Sequence, residues 1–426
     1  MARTTRQQSG QAVLSHDAAY GSHAMNQRGG QDSGSQPLDH AAHVLTAGDP
    51  DSKFSFGSSD AASEQFDLIP PFGTPRLLVP VNPRSRSAAI GLFAGRSVER
   101  LSHRAAVKIV PMLSMMSPRS RVELATSGPP STLPIRSLIS DVLDGDRFEL
   151  VVRLGAARPN GKLVVAAVDE AGEALAFFKF GRQGFTDHLV RHESEVLREL
   201  NSVDLPVVVP RVIYSDTWSG LYVLGTQSIP ARRLPDDASH PHRIADAIAG
   251  AFASSTTTLA ESSYWERTAQ RIVGAQASKA GPLLAAAIEY VTPRWGDWTV
   301  ELTRGHGDWI RPNLGARGDC LVALDWERSE SDLPRGLDNA HFALFDLVRS
   351  GRFWKRTNVE RLNAETACAL AHTDISVDHA PLLAILNLIE MVLRFAEAEI
   401  VGVHAQDRSY APLLAQALDD TAAGRT

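Results

Sequence analysis

The stretch that decides the fold is residues 305–342, GHGDWIRPNLGARGDCLVALDWERSESDLPRGLDNAHF, which interrupts a largely helical second half of the chain. Asp308 and Asn313 are five positions apart in a segment that Pro312 and the glycines keep out of a regular helix. Asp325 comes twelve positions later and ends the apolar run CLVALD. We expect this strand to return along the preceding loop, so that its carboxylate faces the other two side chains.

Two carboxylates and an amide oxygen gathered in this way suit a hard divalent cation. Mg²⁺ takes oxygen ligands from one or two protein groups and keeps the remaining positions for water and phosphate. The same spacing also fits phosphoryl transfer, in which one Asp orients the substrate hydroxyl and accepts its proton. In that chemistry an Asn and a later Asp hold metal ions on the nucleotide phosphates.

The motifs HGD at 306–308, Asn313 and DWE at 325–327 resemble the HGD…N…DWE pattern of the aminoglycoside phosphotransferase and choline kinase-like family. The resemblance covers about residues 147–426. It implies an α+β, bilobal, protein-kinase-like fold with a small antiparallel-sheet N-lobe and a mostly helical C-lobe. It also implies ATP and Mg²⁺ as cofactors.

The resemblance assigns roles to individual residues of the motifs. It implies that Asp308 is the catalytic base, that Asn313 and Asp325 are magnesium ligands, and that His306 braces the loop. Asp338, in GLDNAHF, matches the structural aspartate that follows the DWE segment. Glu327 is open between a metal ligand and a solvated or salt-bridged side chain.

The segment before these motifs supplies the lysine and glutamate that such a site needs for the nucleotide phosphates. Lys179 lies at the end of a predicted strand, AFFKFG, and Glu193 lies near the start of the amphipathic helix that follows. Glu195 is the competing choice. Glu193 is preferred because the apolar residues at 196, 197 and 200 then fall at +3, +4 and +7.

Two further segments complete the expected nucleotide site. The hinge at about 226–234 would read adenine through the backbone around Gln227 and Ser228, and Gly155 would belong to the phosphate loop LGAARPNGK. That loop is not a G-x-G-x-x-G motif. It is not a Walker A motif either, because Leu163 stands where Ser or Thr is required.

Composition divides the chain unevenly. Residues 1–66 are rich in Ser, Gly, Gln, Asp and His, which predicts a disordered segment. Residues 67–146 are predicted to form a small accessory region of unknown role. The kinase-like domain then has an N-lobe at 147–226, where β-branched runs predict an antiparallel meander and one helix, and a C-lobe at 235–426.

The overall balance of charge excludes some classes of function. With 43 Lys and Arg against 49 Asp and Glu, the chain has a formal charge of −6, which disfavours binding to nucleic acid. The two cysteines, Cys320 and Cys368, are expected to be free and buried, which fits a cytoplasmic protein. The apolar segment 382–395 is interrupted by polar residues and predicts a buried helix, not a membrane span.

These features predict an ATP-dependent phosphotransferase whose acceptor is a hydroxyl of a small molecule, such as a sugar, an aminoglycoside-like compound or an amino alcohol. The alternative is a pseudokinase-like nucleotide-binding or regulatory module that uses 1–146 to engage a partner. Trp309 favours the module, because an indole beside Asp308 could shape or block the acceptor pocket. His341 is interpreted as a packed structural histidine.

Overall fold

The structure is a computed structural model. It describes residues 36–49, 53–56, 64–69, 76–81, 121–125, 133–154, 161–181, 186–234, 240–349, 359–402 and 410–422.

The first half of the chain is built on one antiparallel sheet. Within the described residues this sheet has nine strands in the order β1-β4-β2-β3-β5-β6-β7-β10-β9. The strands are β1 (Lys53–Phe56), β2 (Glu64–Ile69), β3 (Leu77–Pro80), β4 (Arg121–Ala125), β5 (Glu149–Arg153), β6 (Leu163–Val168), β7 (Ala174–Phe180), β9 (Val212–Trp218) and β10 (Leu221–Gln227), while β8 (Val207–Val208) belongs to a second sheet. Strand β6, LVVAAV, is buried along its whole length because it lies in the middle of the sheet.

Three helices pack against this sheet. They are α1 (Gln36–Leu45), α2 (Pro134–Leu143) and α3 (Asp187–Leu200). The apolar faces of α1 and α2 pack with strands β2 to β7 in one core. Helix α3 instead packs against β10 and the second half of the chain, through the residues that the helical spacing predicted: Val190, Val196, Leu197 and Leu200.

The second half is mostly helical, as the sequence predicts. Its helices are α4 (His240–Gly250), α5 (Ser263–Gly274), α6 (Gly281–Trp295), α7 (Leu337–Arg349), α8 (Val359–Leu370), α9 (Ala380–Ile400) and α10 (Tyr410–Ala422). Two small sheets accompany these helices among the described residues. One joins β11 (Arg232–Arg233), β14 (Leu314–Arg317), β15 (Cys320–Ala323) and β8, and the other joins β12 (Ser255–Thr258), β13 (Thr299–Gly305) and β16 (Glu330–Pro334). The α+β, bilobal arrangement predicted from the sequence is therefore confirmed.

Helix α9 forms the centre of the C-terminal core. The segment Val377–Ile400 is long and apolar enough to cross a membrane, but 78% of its most apolar window is buried inside the protein. Leu382, Leu386, Ile389 and Leu393 contact the other helices in one cluster. The prediction of a buried helix at 382–395 is therefore confirmed.

The predicted disorder of residues 1–66 is wrong where the structure describes that segment. Helix α1 and strands β1 and β2 lie within it, and Ala41, Leu45 and Phe66 are fully or almost fully buried. The apolar residues of this segment are too few to form a core alone, but they pack against the sheet of the following region. Residues 1–35 lie outside the described residues.

The boundary predicted at residue 147 falls inside a single sheet. Strand β3, from the predicted accessory region, pairs with β5 of the predicted N-lobe, with Leu77 opposite Arg153 and Leu78 opposite Val152. The described parts of 67–146 thus extend the N-lobe sheet beyond the small sheet that was expected.

The expectation of buried cysteines is also wrong, because both thiols are exposed. Cys320 begins β15 directly after a turn at Gly318, and Cys368 lies on the outer face of α8.

If α1 is part of the core, truncating its buried face must destabilise the protein. Leu45 is completely buried, so we expect Leu45→Ala to lower the free energy of unfolding by about 2–5 kcal/mol. Urea denaturation followed by circular dichroism measures this change. Asp39→Ala, at an exposed position of the same helix, is the control and should have little effect. Equal stability of the two variants would contradict the packing of α1.

Candidate active site

A buried group of ion pairs joins three separate elements of the fold. Lys179, near the end of β7, places its Nζ 2.6 and 2.7 Å from the two carboxylate oxygens of Glu193 on α3. The same Nζ lies 3.0 Å from Oδ1 of Asp325, which follows β15. Glu195, the competing choice on α3, is exposed. Lys179, Glu193 and Asp325 are therefore brought together, as the sequence predicts.

The electrostatics of this group depend on its lysines. Burial alone would raise the pKa of Glu193, but the positive charges of Lys179 and Lys162 outweigh it and lower the pKa below its ordinary value. Glu193 is therefore a carboxylate at neutral pH. Removing one partner of such a buried pair typically costs about 3–5 kcal/mol, because the other charge is left without compensation.

Lys162 is a second buried lysine in this site, and the sequence reasoning missed it. It lies directly before β6, and its Nζ contacts the carboxylate of Glu327 and lies 3.8 Å from Oδ1 of Asp325. One oxygen from each of Glu193, Asp325 and Glu327 falls within 4.8 Å of the others. The sequence signal was present, since a lysine stands between the loop glycine Gly161 and a fully apolar strand.

Asp325 has an unusual backbone conformation. Its φ of +68° lies in the left-handed region, which costs a residue other than glycine about 1–3 kcal/mol. Next to it, the indole of Trp326 is completely buried and donates a hydrogen bond to the carbonyl of Ala323 at 3.1 Å. Packing of this neighbour holds the strained turn from which the Asp325 carboxylate reaches Lys179.

The HGD segment is fixed by its backbone. The amide N–H groups of His306 and Gly307 donate to the carboxylate of Asp338 on α7, at 2.6 and 2.9 Å. Gly307 has a φ of +73°, and a Cβ at this position would lie 2.0 Å from the carbonyl oxygen of Arg328. Only glycine therefore fits between His306 and Asp308.

His306 links this segment to the strand that carries Asp325. Its Nδ1 accepts a hydrogen bond from the Asp308 amide at 3.2 Å, and its Nε2 donates to the carbonyl of Leu324 at 2.9 Å. Burial lowers the pKa of His306, which agrees with a neutral ring that has one donor and one acceptor nitrogen. The ring lies between two buried indoles, those of Trp309 and Trp326.

Asp308 lies at the edge of this loop, with 13% of its side chain exposed. Asn313 donates from Nδ2 to the carboxylate at 2.8 Å, and both His341 and Arg394 approach Oδ1 at 3.2 Å. Burial would raise the pKa of Asp308, but the hydrogen bond from His341 and the charge of Arg394 outweigh it and lower the pKa below its ordinary value. Asp308 is therefore ionised at neutral pH.

His341 and Arg394 are site residues that the sequence reasoning did not assign. Nδ1 of His341 faces Oδ1 of Asn387 at 2.8 Å, and the amide nitrogen of Asn387 points to the carbonyl of Ala340. The two ring nitrogens of His341 thus face oxygens of Asn387 and Asp308, which links α7 and α9 to the Asp308 carboxylate. For Arg394 the signal was its place in α9, one turn after Glu390 in an apolar run.

Trp309 does not enter the space in front of Asp308. Its side chain is completely buried in the core between α3 and α4, and its Nε1 donates to the carbonyl of Pro241 at 3.2 Å. The expectation that this indole shapes or blocks an acceptor pocket is therefore wrong. The reason is that successive residues of the loop point in opposite directions, Asp308 outward and Trp309 inward.

The two backbone N–H groups at the predicted hinge already have hydrogen-bond partners within the protein. The amide N–H of Gln227 donates to the carbonyl of Arg211 at 2.9 Å, and that of Ser228 donates to the carbonyl of Leu175 at 3.1 Å. Neither N–H is therefore available to a base, and recognition by these two residues would fall to their carbonyl oxygens. Gly155 lies outside the described residues.

The donor set of the site fits a hard divalent cation. Oδ1 of Asn313 is buried and has no hydrogen-bond partner among the residues that the structure describes. The carboxylates of Asp325 and Glu327 supply further oxygens, and the Asn313 carbonyl accepts from the Leu324 amide at 2.9 Å, which ties the two segments together. Oxygen donors of this kind are the ligands that Mg²⁺ prefers.

If Arg394 holds the Asp308 carboxyl in its ionised form, removing the guanidinium must raise the pKa of Asp308. We expect Arg394→Met to do so, measured by NMR titration of ¹³C-labelled aspartate. Because the folded-state pKa lies below the ordinary 3.8, the stability from this charge is present above that pH and is lost as the pH falls. In Arg394→Met this contribution to stability should be lost at a higher pH than in the wild type. Arg361→Met, on α8, is the control, and an unchanged Asp308 titration in Arg394→Met would contradict this account.

Comparison with known proteins finds similarity at the level of structure. No family model matches the sequence, and no curated protein matches it. Choline kinase LicA from Streptococcus pneumoniae is similar with a TM-score of 0.47 and 18% identity, over 68% of this chain and 98% of that one. A thermostable mutant of aminoglycoside phosphotransferase APH(4)-Ia is similar with a TM-score of 0.44 and 13% identity, over 67% of this chain and 99% of that one.

A fructosamine-3-kinase from Thermobifida fusca gives a TM-score of 0.37 and 18% identity, over 63% of this chain and 99% of that one. These solved structures are small-molecule kinases of the aminoglycoside phosphotransferase and choline kinase-like family, which the sequence motifs also resemble. At these identities the similarity concerns the fold alone.

Proposed function

We propose that the protein is a small-molecule kinase that transfers the γ-phosphoryl group of ATP to a hydroxyl. The observation that carries this proposal is the buried contact of Lys179 with both Glu193 and Asp325. A lysine oriented by a helix glutamate and directed at a metal-binding aspartate is the arrangement that positions a nucleoside triphosphate in kinase-like sites. The Asp308–Asn313 pair lies on the adjoining loop and would supply the acceptor side.

Asp308 would orient the acceptor hydroxyl and take its proton. The hydroxyl oxygen then forms a bond to the γ-phosphorus while the bond to the β-phosphate oxygen breaks, and ADP leaves. A carboxylate with a lowered pKa is a weak base, so its main contribution is orientation of the hydroxyl for in-line attack. Asn313 would fix the carboxylate through its Nδ2 hydrogen bond.

The phosphates would be held by Lys179 and by Mg²⁺ bound to Asn313 and Asp325, with Glu327 as a further oxygen donor. The cation would neutralise the charge of the phosphate oxygens. Glu193 would keep the Lys179 ammonium aimed at the phosphates. His306 and Asp338 would act through the backbone, because they hold the loop that carries Asp308.

The charges around Asp308 bear on the class of acceptor. Arg394 places its guanidinium 3.2 Å from Oδ1 of the proposed base. This positive charge favours a neutral hydroxyl compound, such as a sugar, over a polycation such as an aminoglycoside, which the guanidinium would repel. An amino alcohol with a single positive charge falls between the two. The proposed compartment is the cytoplasm, where ATP is available and the exposed Cys320 and Cys368 stay reduced.

A nucleotide-binding regulatory module is the second candidate. Trp309 no longer favours it, because the indole is buried away from Asp308. What favours it is that the acidic groups of the site are already paired with cations of the chain, Glu327 with Lys162 and Asp308 with Arg394. Such a module would bind nucleotide without transferring phosphate.

We expect Asp308→Asn to lower turnover by about 10²–10⁴-fold, because the amide cannot accept the hydroxyl proton. Binding of ADP with Mg²⁺, measured by calorimetry, should be unchanged because Asp308 serves the acceptor side. Asp319→Asn, at the exposed turn before β15, is the matched control and should keep full activity. Wild-type turnover of Asp308→Asn with a validated acceptor would disprove the proposed mechanism.

The two candidate functions differ in phosphate transfer. The full chain should be used, because strands before residue 147 belong to the N-lobe sheet. We expect a magnesium-dependent rise in melting temperature with ATP, followed by ADP release with at least one member of a panel of sugars, amino alcohols and aminoglycosides. Nucleotide binding without transfer to any of them would favour the module.

A further inference from the structure

We propose that Lys162 is an internal counter-ion that takes the place of the divalent cation when the site holds no nucleotide, and that it must leave when the metal binds. This inference rests on the proposed function, because it concerns the metal site of the proposed kinase. Its basis is the contact of Lys162 with Glu327 and Asp325, two of the carboxylates that would serve the metal.

The pairing of the sheet explains why Lys162 reaches this site. Val164 on β6 lies directly opposite Lys179 on β7. Lys162 is two residues before Val164, so its side chain projects from the same face of the sheet as those of Val164 and Lys179. Lys162, directly before β6, and Lys179, on the neighbouring β7, therefore direct their ammonium groups at the same acidic cluster.

The second lysine adds positive charge to a group of buried acids. Glu193, Asp325 and Glu327 are all buried, with 1–2% of each residue exposed. Lys179 contacts Glu193 and Asp325, and Lys162 contacts Glu327. Loss of Lys162 would remove one of the two ammonium groups that contact these three buried carboxylates, which is unfavourable where water is largely excluded.

The ammonium group and a divalent cation cannot occupy this position together. Both would use oxygens of Asp325 and Glu327, and their like charges would repel each other at such short distance. Free metal therefore binds weakly while Lys162 is in place. A nucleotide would change this balance, because its phosphates would offer Lys162 a new partner.

Metal and nucleotide should therefore bind cooperatively. The nucleotide draws Lys162 away from the carboxylates, and the vacated oxygens then accept the metal. By linkage, the metal raises the affinity for nucleotide by the same factor as the nucleotide raises the affinity for metal. Lys162 would thus act as a positioning and selectivity residue that keeps the site from binding free cations.

The test measures Mn²⁺ binding to the full-length protein by electron paramagnetic resonance, with and without ADP. We expect Lys162→Met to bind free Mn²⁺ at least about tenfold more tightly than the wild type, because one nearby positive charge is removed. The same variant should bind Mn²⁺ and ADP with little cooperativity. Lys162→Arg, which keeps the charge, should retain weak binding of free Mn²⁺, and Lys279→Met, whose side chain is 91% exposed, should behave as wild type.

Equal or weaker binding of free Mn²⁺ by Lys162→Met, with normal binding of Mn²⁺ and ADP to the wild type, would overturn this inference and leave the proposed function intact. If neither protein binds Mn²⁺ even with ADP, the inference and the proposed function both fail. Should Lys162→Met be unfolded without metal, recovery of its circular dichroism spectrum on addition of Mn²⁺ supports the inference, and no recovery overturns it.

Discussion

The interaction on which the site depends is the buried ion pair of Lys179 with Glu193, together with the contact of the same lysine with Asp325. The three residues come from a strand, a helix and a loop of the other lobe, so the pair can form only when all three elements are in place. A buried lysine that lost these partners would carry an uncompensated charge, which is costly. The ion pairs therefore make the position of α3 and the relation between the lobes part of the same folding requirement.

A second set of contacts connects these ion pairs to the loop that carries Asp308 and fixes its position. The backbone of Leu324, next to Asp325, donates to Asn313 and accepts from His306. His306 in turn accepts from the Asp308 amide, and Asp338 holds the preceding N–H groups. Because every link is a backbone or buried hydrogen bond, the loop with Asp308 cannot shift without breaking contacts around Asp325. The two carboxylates of the proposed mechanism are thus held by one continuous network.

Much of this arrangement could be predicted from the sequence because its signals are local. The HGD, Asn and DWE motifs place their residues within a short stretch of chain, and helical spacing alone selected Glu193 over Glu195. The folding of residues 36–45 into α1 could not be predicted, because their apolar side chains are buried by strands that are distant in sequence. Trp309 was misinterpreted because the direction of a loop side chain depends on tertiary packing.

Lys162 and Arg394 show a further limit of sequence reasoning, and together they indicate how the site would discriminate. Each is a basic residue from an element outside the motifs, and each pairs with an acid of the site, Lys162 with Glu327 and Arg394 with Asp308. A ligand that binds to either acid must therefore displace the lysine or arginine that is already paired with it. Under the proposed function, only a ligand that gives both the acid and its cation a new partner would bind well. A metal–nucleotide complex does this on the side of Lys162, since it carries both a cation and phosphates, whereas a free cation does not.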